Sequence, residues 1–292
     1  MLARQPVKKS NSSKPNSNLI LCAINMAKSL FLLFSFAALL GCNLSFSNLE
    51  FRRGQKAAEK KNYKEATEHF RRVILRDPES DEALESAREA ARIAFFETKN
   101  FPQAVEFYEH LVGFSTSEQE RRKSQELIAN IYFEKTNDYP KAVEEYNKLL
   151  LLRNSNQEIV DLRFNLARAY FYLHRFHEAQ IEIESALKIS ESADKKFDLM
   201  MLLGNLYFNT KRADEAIKTY ENVMKLYPER AKSDNVAMNI IVCYEDLEAF
   251  DKAIERLLKM RDDYPDQEFI DLKITRLRER KANMPGSRGL RK

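Results

Sequence analysis

Two histidines three residues apart, His174 and His177, are the first side chains in this sequence whose spacing suggests chemistry. Imidazoles at that separation can share a metal ion, but Tyr172-Leu173-His174-Arg175-Phe176-His177 has Glu178 as its only adjacent acid. A surface histidine pair is the better reading. His69 and His110 are isolated, each within a segment of helical pattern. Nucleophilic and phosphate chemistry have no footing either: there is no glycine-rich phosphate loop, no G-x-S-x-G and no H-E-x-x-H. Acids are numerous, but they stand beside lysines on amphipathic faces, as solvated helices have them. The basic runs Arg121-Arg122-Lys123 and Arg276 to Lys281 read as solvated faces, the second also able to meet anionic lipid. The chain is therefore read as a non-enzyme without metal or cofactor. Its 32% charged residues, six glycines, eight prolines and no tryptophan suit exposed helices better than a loop-built active site.

The elements that would position any site are repeated. Alanine recurs at Ala66, Ala104, Ala142, Ala179, Ala216 and Ala253, in steps of 38, 38, 37, 37 and 37 residues. Four residues after each stands Phe70, Tyr108, Tyr146, Ile183, Tyr220 or Leu257. Upstream of each is a small-x-x-aromatic or small-x-x-small element, Gly54 to Ala57, Ala91 to Ala94, Ala129 to Tyr132, Ala167 to Tyr170 and Gly204 to Tyr207. The sixth copy keeps Tyr244 but has Ile241 at the small position. Small residues let antiparallel helices approach, and aromatics three or four residues away fill the space beside them. Polar stretches such as Lys60-Lys61-Asn62 separate the two elements, so each unit reads as helix, short turn, helix. A period this steady describes a stacked solenoid, not a single-cored enzyme.

The unit resembles the tetratricopeptide repeat, whose pattern runs L-G-x2-Y, A-x3-F, then P. The fifth copy fits best, with Leu203-Gly204-Asn205-Leu206-Tyr207, Ala216, Tyr220 and Pro228; Pro78 and Pro265 close the first and sixth. The resemblance implies an all-α, right-handed superhelical solenoid of about six units, near 47–80, 84–118, 122–156, 160–193, 197–230 and 234–267. The pattern's tryptophan is absent, copies two to four lack the closing proline, and copies two and three carry one extra residue, expected in the turn. A step of 37–38 residues against the family's roughly 34 implies longer helices or linkers. Residues 268–283, with Phe269, Ile270, Leu272, Ile274 and Leu277, read as a terminal capping helix, and 284–292 as a disordered tail.

In tetratricopeptide stacks the first helix of each unit lines a surface that takes up peptide. Carrying those positions over gives Phe95, Phe133, Phe171 and Phe208, with Arg92, Asn130, Arg168 and Asn205 three residues before them. Such a ladder would seat apolar side chains on the rings, pair the asparagine amides with peptide backbone, and pair the arginines with carboxylates. Regularly spaced phenylalanines are also what an inter-repeat core looks like, and that alternative stands. The family's clamp for an acidic C-terminus needs a lysine one turn earlier; here the position reads Phe51, Arg88, Glu126, Phe164, Met201 and Met238, so only Arg88 with Arg92 imitates it.

The first 41 residues have another chemistry. Leu30 to Leu40 is an apolar run too short for the roughly 20 residues of a membrane span, preceded by Lys28 and followed by Gly41-Cys42. Leu39-Leu40-Gly41-Cys42 resembles a bacterial lipobox, with Leu40 where a smaller residue is usual. The resemblance implies cleavage before Cys42, its lipidation, and a short lipidated linker over 42–46. Met26 is an alternative start, and an uncleaved anchor helix over about 19–40 is the competing reading. Residues 1–41 hold Arg4, Lys8, Lys9, Lys14 and Lys28 and no acid, so their removal takes the net charge from +4 to −1 and leaves nucleic-acid binding without support. Of three cysteines, Cys243 alone lies in the body, so the mature chain has no disulfide of its own.

Together these features lead us to expect a membrane-tethered scaffold of the bacterial cell envelope, similar to lipoproteins of outer-membrane, pilus or division assembly. Its partners would be other envelope proteins or peptide segments, with the membrane reached through Cys42, and with neither nucleic acid nor a small-molecule substrate. Asn43 after Cys42 favours the outer membrane facing the periplasm. The alternative is an inner-membrane-anchored module supporting an export complex or a cell-wall enzyme.

Overall fold

The computed structural model describes residues 46–152 and 155–284. Cys42, the lipobox, the leader and nearly all of the C-terminal tail lie outside them. The described residues contain helices and no strand. They form two compact units, divided after Ser115.

The first unit holds α1 (from residue 46 to 59), α2 (Tyr63–Arg76), α3 (Asp81–Arg92, continued by a π-turn over Ile93–Glu97) and α4 (Phe101–Phe114). The second holds α5 (Glu118–Asn130, with a π-turn over Ile131–Lys135), α6 (Tyr139–Leu150), α7 (Asn156–Tyr172), α8 (Phe176–Ile189), α9 (Ala193–Asn209) and α10 (Ala213–Leu226). It continues with α11 (Pro228–Ser233), α12 (Val236–Asp246), α13 (Phe250–Met260) and α14 (Gln267–Ala282). Within the second unit each leading helix packs between the trailing helix before it and its own partner: α7 meets α6 and α8, and α9 meets α8 and α10.

Local chemistry sets the ends of these helices. Ser80, Ser117, Ser155 and Ser192 recur at the repeat step, and each accepts a backbone N–H at the start of its leading helix. Ser155 also forms a reciprocal capping box with Glu158. The sixth copy has Glu229 in place of the serine and breaks instead, with Asn235 left-handed (φ 53°) between α11 and α12.

Every turn between the leading and trailing helix of a repeat carries a left-handed residue five positions before the registered alanine: Lys61, Lys99, Asn137, His174, Lys211 and Glu248, with φ between 51° and 61°. The next N–H reaches back across the helix end, as from Arg175 to Tyr170 O and from Arg212 to Tyr207 O, both at or below 2.9 Å. The constant position of this residue corrects the expectation for copies two and three. Their extra residue is not in the turn but in the π-turns, where Thr98 N–H reaches Ile93 O at 3.0 Å and Thr136 N–H reaches Ile131 O at 3.1 Å. A π-turn absorbs one residue inside the helix and leaves the turn unchanged.

All six registered alanines are fully buried. A methyl group built on Gly204 would lie 2.4 Å from the Tyr220 ring, and one on Gly54 would lie 2.7 Å from Phe70. The small residues thus let the aromatic of the trailing helix lie on the leading helix's backbone. In α14, Ile270, Ile274 and Leu277 cover Ile241, Phe250 and Leu257, as expected of a cap, while Phe269 and Leu272 stay exposed.

Candidate protein-binding groove

The expected ladder divides between the units. In the first, Arg88 pairs with Glu85 at 2.7 Å, and Arg92 pairs with Glu89 at 2.9 Å, one turn back on α3. A cation already neutralised by its own helix gains little from an incoming carboxylate. Phe95 is half-buried and packs edge-on against Phe96 and Phe101.

In the second unit the rings are not a row of exposed platforms. Phe133 is only 5% exposed and belongs to the core around Tyr146 and Leu166, which corrects its assignment to a groove surface. Phe171 and Phe208 are half-buried against their own cores, Phe171 edge-on to Phe176. The asparagines also have structural work. The buried Tyr146 hydroxyl donates to Asn130 Oδ1 at 2.8 Å, and the buried Tyr220 hydroxyl donates to Asn205 Oδ1 at 2.7 Å. Burial pushes both phenols well above their ordinary pKa, so they remain donors. Each asparagine carbonyl thus accepts from a buried tyrosine, which orients the amide and leaves its NH2 group to donate to a ligand.

Arg168 is the exception. Its guanidinium lies 4.6 Å from the Phe133 ring centroid and 5.7 Å from that of Phe164, and among the described residues it has no carboxylate partner. It does not lie on Phe171, because helical side chains lean toward the N-terminus and so meet residue i−4, here Phe164. Arg168 and Asn205 line one open groove of about 270 Å³ with Phe164, Phe197, Met201 and Asp198. Asp198 is drawn toward Arg230 at 2.5 Å, and that guanidinium stacks 4.0 Å over Phe197. Lys195 lies 4.7 Å over Phe164 and pairs with Asp161 at 2.8 Å. The groove thus offers aromatic and thioether surface, an amide donor and one cation held ready on rings.

Of the expected residues, this groove joins Arg168 and Asn205. Phe197, Asp198 and Asp234 were missed. Phe164 and Met201 stood at the position one turn before the arginine and asparagine, where the absence of lysine hid their apolar value.

The other singled-out residues are quiet. His174 is a turn residue, and His177 is exposed at the start of α8. Among the described residues no group of three His, Cys, Asp or Glu side chains could hold a metal. Cys243 is 1% exposed, and burial raises its thiol pKa to about 11, so it stays protonated and unreactive.

Residues 160–192 and 198–230 each match a model of the tetratricopeptide repeat. No curated protein matches the sequence. Among solved structures, a chain of the Naa15/Naa10 assembly bound to HypK-THB superposes with a TM-score of 0.62 at 14% identity, covering 93% of this chain and 40% of that one. A tetratricopeptide repeat protein from Parabacteroides merdae gives 0.50 at 15% identity, covering 81% of this chain and 88% of that one. PilW, a type IV pilus biogenesis factor, gives 0.50 at 11% identity, covering 78% and 98%. These likenesses establish an all-α tetratricopeptide-type fold.

Proposed function

We propose that this tetratricopeptide-repeat chain is a non-catalytic scaffold that holds a segment of another protein against α7 and α9. The observation that carries the reading is Arg168, a cation with rings beneath it and no carboxylate paired to it among the described residues, facing an open groove shared with Asn205 and Met201. A bound segment would place a carboxylate on Arg168, a backbone carbonyl on the Asn205 amide, and an apolar side chain on Phe164 and Met201. Cross-linking of the full chain in its native membranes, followed by capture, tests this. Arg168→Glu should lose the partners retained by wild type while keeping its helical circular dichroism. An unchanged set of partners would reject the groove.

The sequence from Lys28 to Cys42 supports a setting at the bacterial envelope, the scaffold being tethered by lipid on Cys42 and serving assembly of outer-membrane, pilus or division machinery. Leu40, larger than a lipobox usually holds, favours the second reading, an inner-membrane anchor helix supporting an export complex or wall enzyme. Mass spectrometry of the membrane-extracted chain separates them. A diacylated N-terminal Cys42 supports the lipoprotein; an intact peptide containing Lys28 supports the anchor.

A further inference from the structure

The sixth repeat departs from copies three to five at one register position; copy two also has alanine there, Ala87, but the residue at the facing register position is the buried Phe107. Four residues before the small position, copies three to five carry Gln125, Arg163 and Met200. Gln125 bonds Glu145, and Arg163 bonds Glu182, each reaching across to the trailing helix of its own copy. In copy six the position is Ala237, and the facing residue is Arg256. Arg256 turns away to α10, where it meets Glu221 at 2.7 Å and the Met224 sulfur at 3.9 Å. A bridge between leading and trailing helix has thus been replaced by a methyl group.

The space left is a cleft with two chambers, about 540 and 470 Å³, joined at Met224, Ala237, Lys259 and Met260. It runs along α12 between α10 and α13 and shares no lining residue with the Arg168 groove, although Asp234 of that groove stands between Ser233 and Asn235 of this cleft. The smaller chamber is mainly apolar, with Tyr264 and Ala231 in its wall, and is opened further by the break between α11 and α12. Around the larger stand Lys252, Arg256 and Lys259 against Glu255, which Lys259 already engages at 2.7 Å. Among the described residues Lys252 has no carboxylate partner, and its ammonium lies 5.7 Å from the Tyr244 ring centroid. With Arg256 paired to Glu221 and Lys259 to Glu255, Lys252 and Lys232 remain across the two chambers against one further acid, Asp263.

We propose that this cleft is a second docking site, independent of the Arg168 groove, for a protein segment bearing an apolar side chain next to carboxylates. The methionines supply adaptable surface for the apolar residue. The excess of cations selects acidic neighbours and disfavours basic ones.

The test uses the full chain in detergent and a fluorescein-labelled acetylated peptide of alternating leucine and glutamate pairs, with a leucine–lysine peptide as counterpart. Wild type should bind the acidic peptide and not the basic one. Ala237→Met, which restores the residue of copy five, should weaken binding by about tenfold or more, a loss of some 1.4 kcal/mol. Lys252→Glu should also weaken it, while Arg168→Glu should not. Failure of the acidic peptide to bind, equal binding of the basic peptide, or indifference to Ala237→Met would overturn the proposal. So would concentration-dependent self-association abolished by Ala237→Met, which would give the cleft to a second copy of this chain.

Discussion

The most informative side chains are those whose partners explain why one residue type alternates with another at the same register. Asparagine follows the small residue in copies three and five, where the trailing helix brings a buried tyrosine; arginine follows it in copy four, where that helix brings Ile183. A buried hydroxyl needs an acceptor, and an isoleucine does not, so among copies three to five the fourth is the one that releases this position for a ligand. In the first unit a comparable device stands at another register, Glu50 of α1, four residues before Gly54. Its side chain is 2% exposed and lies 2.8 Å from His69 Nδ1, 2.6 Å from Arg53 and 3.3 Å from Arg72. Burial alone would raise its pKa, but the bonds from His69, Arg53 and Arg72 outweigh burial and hold it below the ordinary value. A depressed carboxylate stabilises the fold above its unfolded pKa, near 4.3, and that stability is lost as pH falls through the folded value. Glu50→Gln should therefore lower stability by about 1–3 kcal/mol at pH 7. Thermal melts across pH should show the gap to wild type closing as pH falls below the ordinary carboxylate range and Glu50 itself is protonated. A gap that persisted in acid would contradict the ion-pair account.

At the scale of elements, the leading and trailing helices are held at a distance set by the residue under the aromatic ring. Two helical glycines make the point by contrast. Gly113 in α4 would find nothing within 4 Å of an added methyl group, whereas Gly204 in α9 would find Tyr220 at 2.4 Å. Alanine favours a helix over glycine by about 1 kcal/mol at either place. At Gly204 the displaced ring costs roughly 1–3 kcal/mol and strains the bond to Asn205, so the clash wins. Urea denaturation should show Gly113→Ala slightly more stable than wild type and Gly204→Ala less stable. Equal signs would mean that the helix pair can slide apart freely.

For the whole molecule, the decisive quantity is apolar surface that no single repeat can cover. The second unit ends in α14, whose Ile270, Ile274 and Leu277 close the core of the last repeat. Deleting residues 267–292 uncovers Ile241, Phe250 and Leu257, each now at most 4% exposed. Exposing a large apolar side chain costs about 1.5–3 kcal/mol, so the loss should reach several kcal/mol. The truncated chain should melt at lower temperature and aggregate, as judged by circular dichroism and light scattering. A chain that stayed monomeric and equally stable would show that α14 is an appendage.

Periodicity alone determined that this protein is a set of helix pairs, which residues of each pair are buried, and where the last helix begins. A repeat forces equivalent residues into equivalent surroundings, so Ala66 through Ala253 carry the fold in one dimension. The same symmetry misled where copies differ. Sequence spacing counted the extra residue of copies two and three but could not tell turn from π-turn, since both satisfy the same count. It marked Arg92 and Arg168 as equals, while tertiary structure gave one an acid from its own helix and the other two aromatic rings. It also left Ala237 unnoticed, because an alanine becomes a cleft only when the side chain facing it turns elsewhere. Sites are made by differences between copies, and those differences acquire meaning only through neighbours that packing brings together.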